Sequence, residues 1–284
     1  MLKLFTLYIY LETLLCGCGP DKRNSDFATL RSEYNIKIER IGKLDKRISE
    51  SSGLAFASDT TFRTHADGGP LNELYEFNLR GGLLHTIKLP LKNNDWEDLA
   101  QAENGQLFIG DFGNNFNTRQ NLRIYKLQQN LAQVQDTIRF RYADQLAFPP
   151  ARRNRHYDLE AFFYYADSLY LFTKSRAAKP ITQLYTLAAR QGNYTLTPQY
   201  RLRLKSPITA AAISPAQNQF ALLGYGRLYI FDHQAKNINL TGKRYCLPLG
   251  RTGQAEAMLY LNPTTLLITN ERGKLYLVTI SPKN

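Results

Sequence analysis

The segment Leu184-Tyr185-Thr186-Leu187 is one of five places where the chain carries an aliphatic residue, a tyrosine, any residue and then an apolar residue. The other four segments are Leu74-Tyr75-Glu76-Phe77, Ile124-Tyr125-Lys126-Leu127, Leu228-Tyr229-Ile230-Phe231 and Leu275-Tyr276-Leu277-Val278. Successive tyrosines are 50, 60, 44 and 47 residues apart. Self-similarity at such a period indicates a repeat architecture.

Each tyrosine segment belongs to a larger unit of short strands. In the third repeat, Ala161-Phe162-Phe163 and Leu169-Tyr170-Leu171-Phe172 come before it, and residues 200–204 follow it after a turn. Four short strands in each repeat of about 50 residues are typical of a β-propeller. The sequence therefore predicts an all-β fold of four-stranded blades.

The number of blades follows from how the repeats begin and end. The last repeat supplies three strands, whereas residues 34–39 alternate between apolar and polar as a strand does. We expect this N-terminal strand to close the ring as the missing outer strand. The prediction is a propeller of five blades over residues 34–284. A sixth, degenerate blade is the alternative, although residues 141–157 are too few to hold one.

The N-terminal segment has the pattern of a bacterial export signal. Lys3 precedes an apolar stretch at residues 4–15, which is too short to span a bilayer. It ends in Leu15-Cys16-Gly17-Cys18, which resembles a lipobox and implies cleavage before Cys18 and its lipidation; Cys16 is a second candidate. An unprocessed N-terminal helix is the structural alternative. We predict a signal peptide at residues 1–18, a polar tether at 19–33, and anchoring in the envelope of a Gram-negative bacterium, in the outer membrane facing the periplasm or the exterior.

Charge and cysteine content narrow the classes of partner. The formal net charge of +12 attracts anionic partners, but the chain has no nucleic-acid-binding motif, so we expect none of that class. With Cys18 lipidated, Cys246 would remain as a buried, unpaired thiol and the domain would lack an intramolecular disulfide. We expect a monomer.

Polar residues recur where the first strand of a blade begins and the second ends. In an up-and-down blade these two points lie on the same face, at the mouth of the central channel. The predicted ligand-binding face comprises Glu50, Asp67, Glu97, Asp98, Asp111, Asn115, Arg119, Glu160, Lys174, Glu256, Glu271 and Arg272.

The recurring glutamates have three interpretations. Glu50, Glu97, Glu160 and Glu256 could bind backbone N–H groups and fasten the blades, ligate a hard cation such as Ca²⁺, or contact a substrate. Residues that break the repeat are the candidates for catalysis, because symmetry does not explain them. These are His65, Asp111, Arg119 and Lys174.

Several motifs resemble a family of exported bacterial propellers that is similar in fold to six-bladed, phytase-like propellers. The motifs are Glu50-Ser51-Ser52-Gly53-Leu54, His65-Ala66-Asp67-Gly68-Gly69, Asp95-Trp96-Glu97-Asp98-Leu99, Gly110-Asp111-Phe112-Gly113-Asn114-Asn115 with Arg119, Asp158-Leu159-Glu160-Ala161, Phe172-Thr173-Lys174, Leu223-Gly224-Tyr225 and Glu256-Ala257. The resemblance spans residues 50–257. It implies a fold and a shared polar face rather than a particular reaction.

Three function classes follow. The first is a lipid-anchored module that binds a metal, a small molecule or a partner protein through the channel face. The alternative is a Ca²⁺-dependent phosphoester or ester hydrolase resembling phytases, and the third is an interaction scaffold. The sequence contains no Walker loop, Gly-x-Gly-x-x-Gly, Gly-x-Ser-x-Gly or His-Glu-x-x-His motif, so no nucleotide or redox cofactor is indicated.

Overall fold

The chain forms an all-β propeller of five blades in the computed structural model, which describes Leu7 and residues 27–177, 181–204, 206–234, 238–250 and 252–283. The prediction of the fold class is confirmed, and the described residues leave no sixth blade. Residues 141–157, where one was conceivable, contain the end of a strand, a loop and a single 3-10 turn at Arg152–Asn154.

The strands follow one another blade by blade. The described domain begins with β1 (Ala28–Thr29), the short helix α1 (Leu30–Glu33) and β2 (Tyr34–Lys43). Blade 1 is β3 (Ser51–Phe56), β4 (Thr61–Ala66), β5 (Glu73–Asn78) and β6 (Leu83–Lys88); blade 2 begins with β7 (Trp96–Gln101), β8 (Leu107–Asp111), β9 (Leu122–Leu127) and β10 (Val134–Tyr142). Blade 3 comprises β11 (Asp158–Tyr165), β12 (Ser168–Lys174), β13 (Thr182–Ala188) and β15 (Tyr200–Leu202), with β14 (Gly192–Leu196) between the last two in sequence. Blade 4 is β16 (Ile208–Ile213), β17 (Gln219–Gly224), β18 (Arg227–Asp232) and β19 (Arg244–Pro248), and blade 5 is β20 (Ala255–Asn262), β21 (Thr265–Asn270) and β22 (Lys274–Pro282).

The five tyrosine segments form the third strands of the blades. Their leading aliphatic residues are completely buried, and the tyrosines are at most 8% exposed. Neighbouring blades cover both faces of each third strand, so apolar residues occupy successive positions rather than alternating ones. This packing explains why the repeat is visible in the sequence.

Blade 5 is completed by the N-terminal strand. β2 pairs antiparallel with β22, with Ile36 opposite Ile280 and Ile38 opposite Val278. The ring is thus closed by hydrogen bonds between two segments far apart in sequence. The innermost strands β3, β7, β11, β16 and β20 then surround the central channel in that order.

Two features extend the predicted arrangement. β14 leaves blade 3 and pairs in parallel with β10, so it becomes a fifth strand of blade 2. The ordered domain also begins before residue 34, inside the predicted tether. Phe27 and Leu30 are buried, and β1 pairs with β19. Residues 1–18, except Leu7, lie outside the described residues, as does most of the predicted tether.

Cys246 is buried in β19, as expected of a packed residue, and is disulfide-bonded in this chain. The prediction of an unpaired thiol concerns the processed chain with a lipidated Cys18 and stays a prediction. Among the described residues, no helix has the length and apolar character needed to cross a membrane.

Asp98 fastens three innermost strands together. Its carboxylate accepts hydrogen bonds from the backbone N–H of Leu99 at 2.8 Å and of Phe162 in blade 3 at 3.0 Å, and also from Ala211 in blade 4. The side chain is 1% exposed, and burial raises its pKa well above the usual range. Asp98 thus performs the fastening role considered for the recurring glutamates.

We expect Asp98→Ala to lower the free energy of unfolding by about 3 kcal/mol, because it leaves buried N–H groups of two other blades without an acceptor. Asp98→Asn retains one acceptor oxygen and should cost less. Urea unfolding followed by circular dichroism measures both. Asp59→Ala, at an exposed turn, is the control, and equal stability of the Asp98→Ala protein and this control would contradict the fastening role.

Candidate functional site

The innermost strands carry a β-bulge near their start. The pairing register shifts around Glu97 in β7, Glu160 in β11, Thr209 in β16 and Glu256 in β20. A bulge adds one residue and re-aims its side chain, so a polar group is delivered to the channel mouth from four blades. In blade 1 the register shifts between Ser52 and Ala55, so Glu50 lies outside the bulge.

An ion-pair network occupies the blade 3 side of this mouth. The Lys174 ammonium donates to Glu160 at 2.9 Å, and Arg176 contacts the other oxygen of Glu160 at 3.1 Å. Arg176 also contacts Asp158 at 2.6 Å and donates to Asn115. Glu160, Lys174 and Asp158 are almost completely buried. Two cations thus hold two carboxylates in place where water has little access.

Burial and neighbouring charge set the protonation of this network. Burial and the Glu160 charge together raise the pKa of Asp158 to about 7, against the opposing effect of Arg176. For Lys174, burial would lower the pKa, but the carboxylates of Glu160 and Glu256 outweigh it and the pKa is raised. Lys174 therefore remains an ammonium, and Asp158 titrates near neutrality.

Blade 4 contributes a tyrosine to the same mouth. Tyr225 donates its hydroxyl proton to Glu256 at 2.8 Å, and its ring lies 5.4 Å from the Lys174 ammonium. Burial raises the pKa of Glu256, an effect that Lys174 opposes. Glu256 is thus held by a hydroxyl group from the neighbouring blade.

Three carboxylates converge at the mouth from blades 1 and 2, next to this network. Oxygens of Asp67, Asp95 and Glu97 all lie within 4.8 Å of one another. Glu97 is only 4% exposed, and its backbone carbonyl accepts a hydrogen bond from Ser52. Among the described residues no side chain donates a hydrogen bond to the carboxylate of Glu97 or of Asp67. Gly113 leaves the space for this group, because a Cβ there would lie 2.0 Å from Glu97 Oε1 and 2.5 Å from Asp95 Oδ2.

Ionising all three carboxyl groups is unfavourable in free energy, because like charges would lie close together. Loss of hydration raises the pKa of Asp67, and the charges of Glu160, Glu256 and Asp95 raise it as well, to about 8. Burial and the charges of Glu160 and Asp67 raise the pKa of Glu97 well above its usual range. Burial also raises the pKa of Asp95, although Arg119 opposes this shift. Such a group is stabilised by protons or by a bound cation.

Asp111 and Arg119, both predicted as catalytic candidates, are bonded to each other. Asp111 is completely buried at the end of β8 and accepts from Arg119 at 2.9 Å and from Asn94 at 2.6 Å. Arg119 also donates to the Gly113 carbonyl at 2.7 Å and lies 3.9 Å from Asp95. This pair supports the loop behind the carboxylate group.

His65, the remaining catalytic candidate outside the ion-pair network, is a buried neutral ring. Its Nδ1 lies 2.9 Å from the carbonyl oxygen of Ala66, and its ring packs edge-on against Trp96. Burial lowers its pKa to about 4, so the ring is uncharged at neutral pH. These contacts are those of a packed core residue.

The rest of the predicted face lies around the rim. Glu50 and Arg272 are exposed, and Glu271 is half-buried and accepts a hydrogen bond from Gln254.

The structure also groups the carboxylates differently from the predicted metal set of Glu50, Glu97, Glu160 and Glu256. Of that set only Glu97 belongs to the carboxylate group, since Glu160 is bound by cations and Glu256 by Tyr225.

Four important residues were absent from the predicted site: Asp95, Asp158, Arg176 and Gly113. Asp95 and Asp158 each precede a bulge glutamate by two residues, which is a signal that the sequence contains. Arg176 follows Lys174 by two residues, which is a similar signal because the spacing is again two. The role of Gly113 depends on the distance between loops and has no local signal.

Sequence comparison finds no matching protein family and no matching curated protein. Among solved structures, the PQQ-bound aldose sugar dehydrogenase from Streptomyces coelicolor is similar, with 9% identity, a TM-score of 0.50, and coverage of 87% of this chain and 99% of that chain. A gluconolactonase from Xanthomonas campestris (12% identity, TM-score 0.47, 86% and 90% coverage) and the soluble aldose sugar dehydrogenase from Escherichia coli (11%, 0.47, 88% and 100%) are also similar. The neighbours are β-propellers. At these identities the likeness establishes the fold alone.

We expect Lys174→Met to lower the free energy of unfolding by about 3 kcal/mol, because it removes one cation from a buried pair. Urea unfolding of the single variants and of the double variant Lys174→Met/Glu160→Gln forms a double-mutant cycle. The double variant should recover part of the loss. Strict additivity of the two single effects would show that the 2.9 Å contact contributes nothing.

We expect stability in a metal chelator to fall as pH rises. Asp67 has a folded-state pKa of about 8, whereas the unfolded value is about 4. Between these values the folded state binds more protons than the unfolded state, so the free energy of unfolding decreases with increasing pH. Thermal melts across this range measure the slope. Asp67→Asn should reduce it, and an unchanged slope in that variant would exclude Asp67 as its source.

Proposed function

We propose that this protein is a ligand-binding β-propeller that holds a divalent cation, Ca²⁺ being the best match, at the mouth of its central channel. Asp67, Asp95 and Glu97 are the proposed protein ligands. The cation would in turn help to bind an oxygen-rich small molecule or an acidic group of a partner protein.

The observation that carries this proposal is that no described side chain donates a hydrogen bond to the buried carboxylate of Glu97. A carboxylate this buried normally has a hydrogen-bond donor or a cation beside it. Burial raises the pKa of Glu97, and the charges of the neighbouring acids Glu160 and Asp67 raise it as well. A bound cation would supply the missing positive charge and would compensate all three carboxylates at once.

The chemistry of the three residues favours a hard cation. All the donor atoms are carboxylate oxygens, with no imidazole or thiolate among them, and Ca²⁺ and Mg²⁺ prefer oxygen ligands. Ca²⁺ takes six to eight of them in flexible geometry. Three side chains would leave positions for water or ligand oxygens, and Asp67 lies on the exposed side of the group.

The cations of the mouth are less suited to be the main ligand-binding groups. Lys174 is held by Glu160, and Arg176 is shared between Glu160 and Asp158. Their positive charges are therefore already balanced. A divalent cation bound by Asp67, Asp95 and Glu97 would add positive charge to the mouth and make it attractive to anions.

A second candidate function is metal-dependent hydrolysis of an ester or phosphoester, as in the phytase-like alternative. Asp158 and Asp67, with pKa values of about 7 and about 8, lie in the same mouth. Groups that titrate near neutrality are suited to general acid–base catalysis, and a bound cation can lower the pKa of water. Calcium-stimulated turnover of an ester or phosphoester panel, abolished by Asp158→Asn but unaffected by Asp59→Asn, would favour this function.

We expect calorimetry at neutral pH to detect one Ca²⁺ site in chelator-treated protein. Asp95→Asn and Glu97→Gln should weaken binding on the order of tenfold or more, since each removes a charged ligand. Affinity should rise with pH up to about pH 8, because binding displaces the proton of Asp67.

Two further measurements make the calcium test decisive. Asp59→Asn removes an equal charge from the turn at the other end of β4 and should leave binding unchanged. Gly113→Ala introduces a methyl group against Glu97 and should weaken binding without removing a ligand. The proposal fails if Ca²⁺ neither binds nor raises the melting temperature of the unsubstituted protein.

We further propose that the domain is held at the envelope membrane by a lipid on Cys18. One sulfur atom cannot carry both a thioether-linked lipid and a disulfide, and processing before Cys18 removes Cys16. Cys246 of the processed chain would then lack an intramolecular partner. A disulfide at Cys246 and a processed chain with a lipid on Cys18 are thus alternative states.

Mass spectrometry of the membrane fraction of producing cells distinguishes these states. We expect an N-terminal, acylated Cys18 together with a Cys246 that reacts with a thiol reagent after denaturation. Cys18→Ser should release the protein from the membrane. Recovery of a full-length, unacylated chain with Cys246 still oxidised would contradict the lipid anchor.

A further inference from the structure

A basic groove lies on the outer part of blade 2, away from the channel mouth. Its volume is 440 Å³, and polar residues of three adjacent strands line it. The polar lining includes Asn121, Arg123, Arg139, Arg141, Asn193 and Thr195. No acidic residue and no residue of blade 1 contributes to its lining. We call this surface the arginine groove.

The strand register places its arginines on one face. Arg123 of β9 is the direct partner of Arg139 of β10. Residues directly opposite in a pair of strands project to the same side, and Arg141, two residues further along β10, shares that side. Like charges directly opposite one another in a sheet are destabilising. The sheet therefore tolerates an unfavourable arrangement at this position.

Neighbouring acids compensate this charge only in part. Arg123 lies 3.7 Å from Asp111, a carboxylate already engaged by Arg119. Arg141 donates to the neutral hydroxyl of Thr195 at 3.1 Å. Neither Arg139 nor Arg141 forms an ion pair with another described residue. Two guanidinium groups thus remain available at an open groove.

The extra strand β14 completes the groove. It pairs with β10 so that Asn193 lies beside Arg139 and Thr195 beside Arg141. The amide and hydroxyl groups of these residues can donate hydrogen bonds next to the guanidinium groups. A strand that leaves its own blade therefore adds neutral donors to the charged ones.

We propose that the arginine groove binds a phosphate-bearing anion. The planar guanidinium group binds phosphate oxygens in a bidentate manner, and the pairing of Arg123 with Arg139 would become favourable once an anion lay between them. A free phosphate ester and an anionic lipid headgroup share this chemistry. A second groove of 490 Å³ shares Arg141 and Thr195 and contains the exposed apolar side chains Leu146 and Phe148, as a membrane-facing site would.

The test uses two probes on the full-length protein. Inorganic pyrophosphate is titrated by calorimetry, and sedimentation is measured with vesicles of phosphatidylcholine alone or mixed with phosphatidylglycerol. The variant is Arg139→Gln/Arg141→Gln, which leaves Arg123 and its contact with Asp111 intact. The matched control is Lys46→Gln/Lys88→Gln, which removes the same charge from exposed positions around blade 1.

We expect binding to at least one probe, weakened tenfold or more in the arginine variant and little changed in the lysine control. Binding to both probes would identify free phosphate as sufficient, whereas binding only to phosphatidylglycerol vesicles would identify the lipid headgroup. Melting temperatures verify folding, and that of the arginine variant should equal or exceed the original because a like-charge pair is removed. Absence of binding to both probes, or equal weakening in the control, would overturn the proposal.

Discussion

The pairing of β2 with β22 is the constraint on which the rest of the molecule depends. A blade buries its faces only when a neighbour covers each of them, and an open row of blades would leave two sheets exposed. The N-terminal strand removes this problem by completing the last blade, which brings β20 against β3. Every distance at the channel mouth is therefore a consequence of closure.

Closure also creates the electrostatic problem at the mouth. Five innermost strands converge there, and bulges direct three glutamates toward the axis. The negative charge is compensated at blades 3 to 5 but not fully at blades 1 and 2. Lys174 and Arg176 neutralise Glu160 and Asp158, and Tyr225 holds Glu256. Asp67 and Glu97 lack such partners in the described chain, and Asp95 has only Arg119 at 3.9 Å. The asymmetry distinguishes a structural side from a side suited to a ligand.

The sequence predicted the features that arise from local pattern. The five tyrosine segments indicated the third strands, and the alternation at residues 34–39 indicated the closing strand, because burial on defined faces dictates residue type. Features that depend on distances between blades were beyond such reasoning. The partners of Asp111, the space provided by Gly113 and the transfer of β14 to blade 2 follow from tertiary geometry. Asp98 was predicted to lie on the ligand face because it is a polar residue near the start of a first strand, but its carboxylate binds backbone N–H groups whereas that of Glu97 faces other acids.

The transfer of β14 restricts how this ring could change during evolution. Propellers can gain or lose whole blades where each blade is a self-contained unit of sequence. Blades 2 and 3 are not separable in this way, because removing blade 3 would also remove the outermost strand of blade 2 and leave the edge of β10 unpaired. The same holds for blade 5, whose strands come from both ends of the domain. Blade 4 likewise includes β1 from the N-terminal end of the domain, so duplication or loss of a single blade is least disruptive at blade 1.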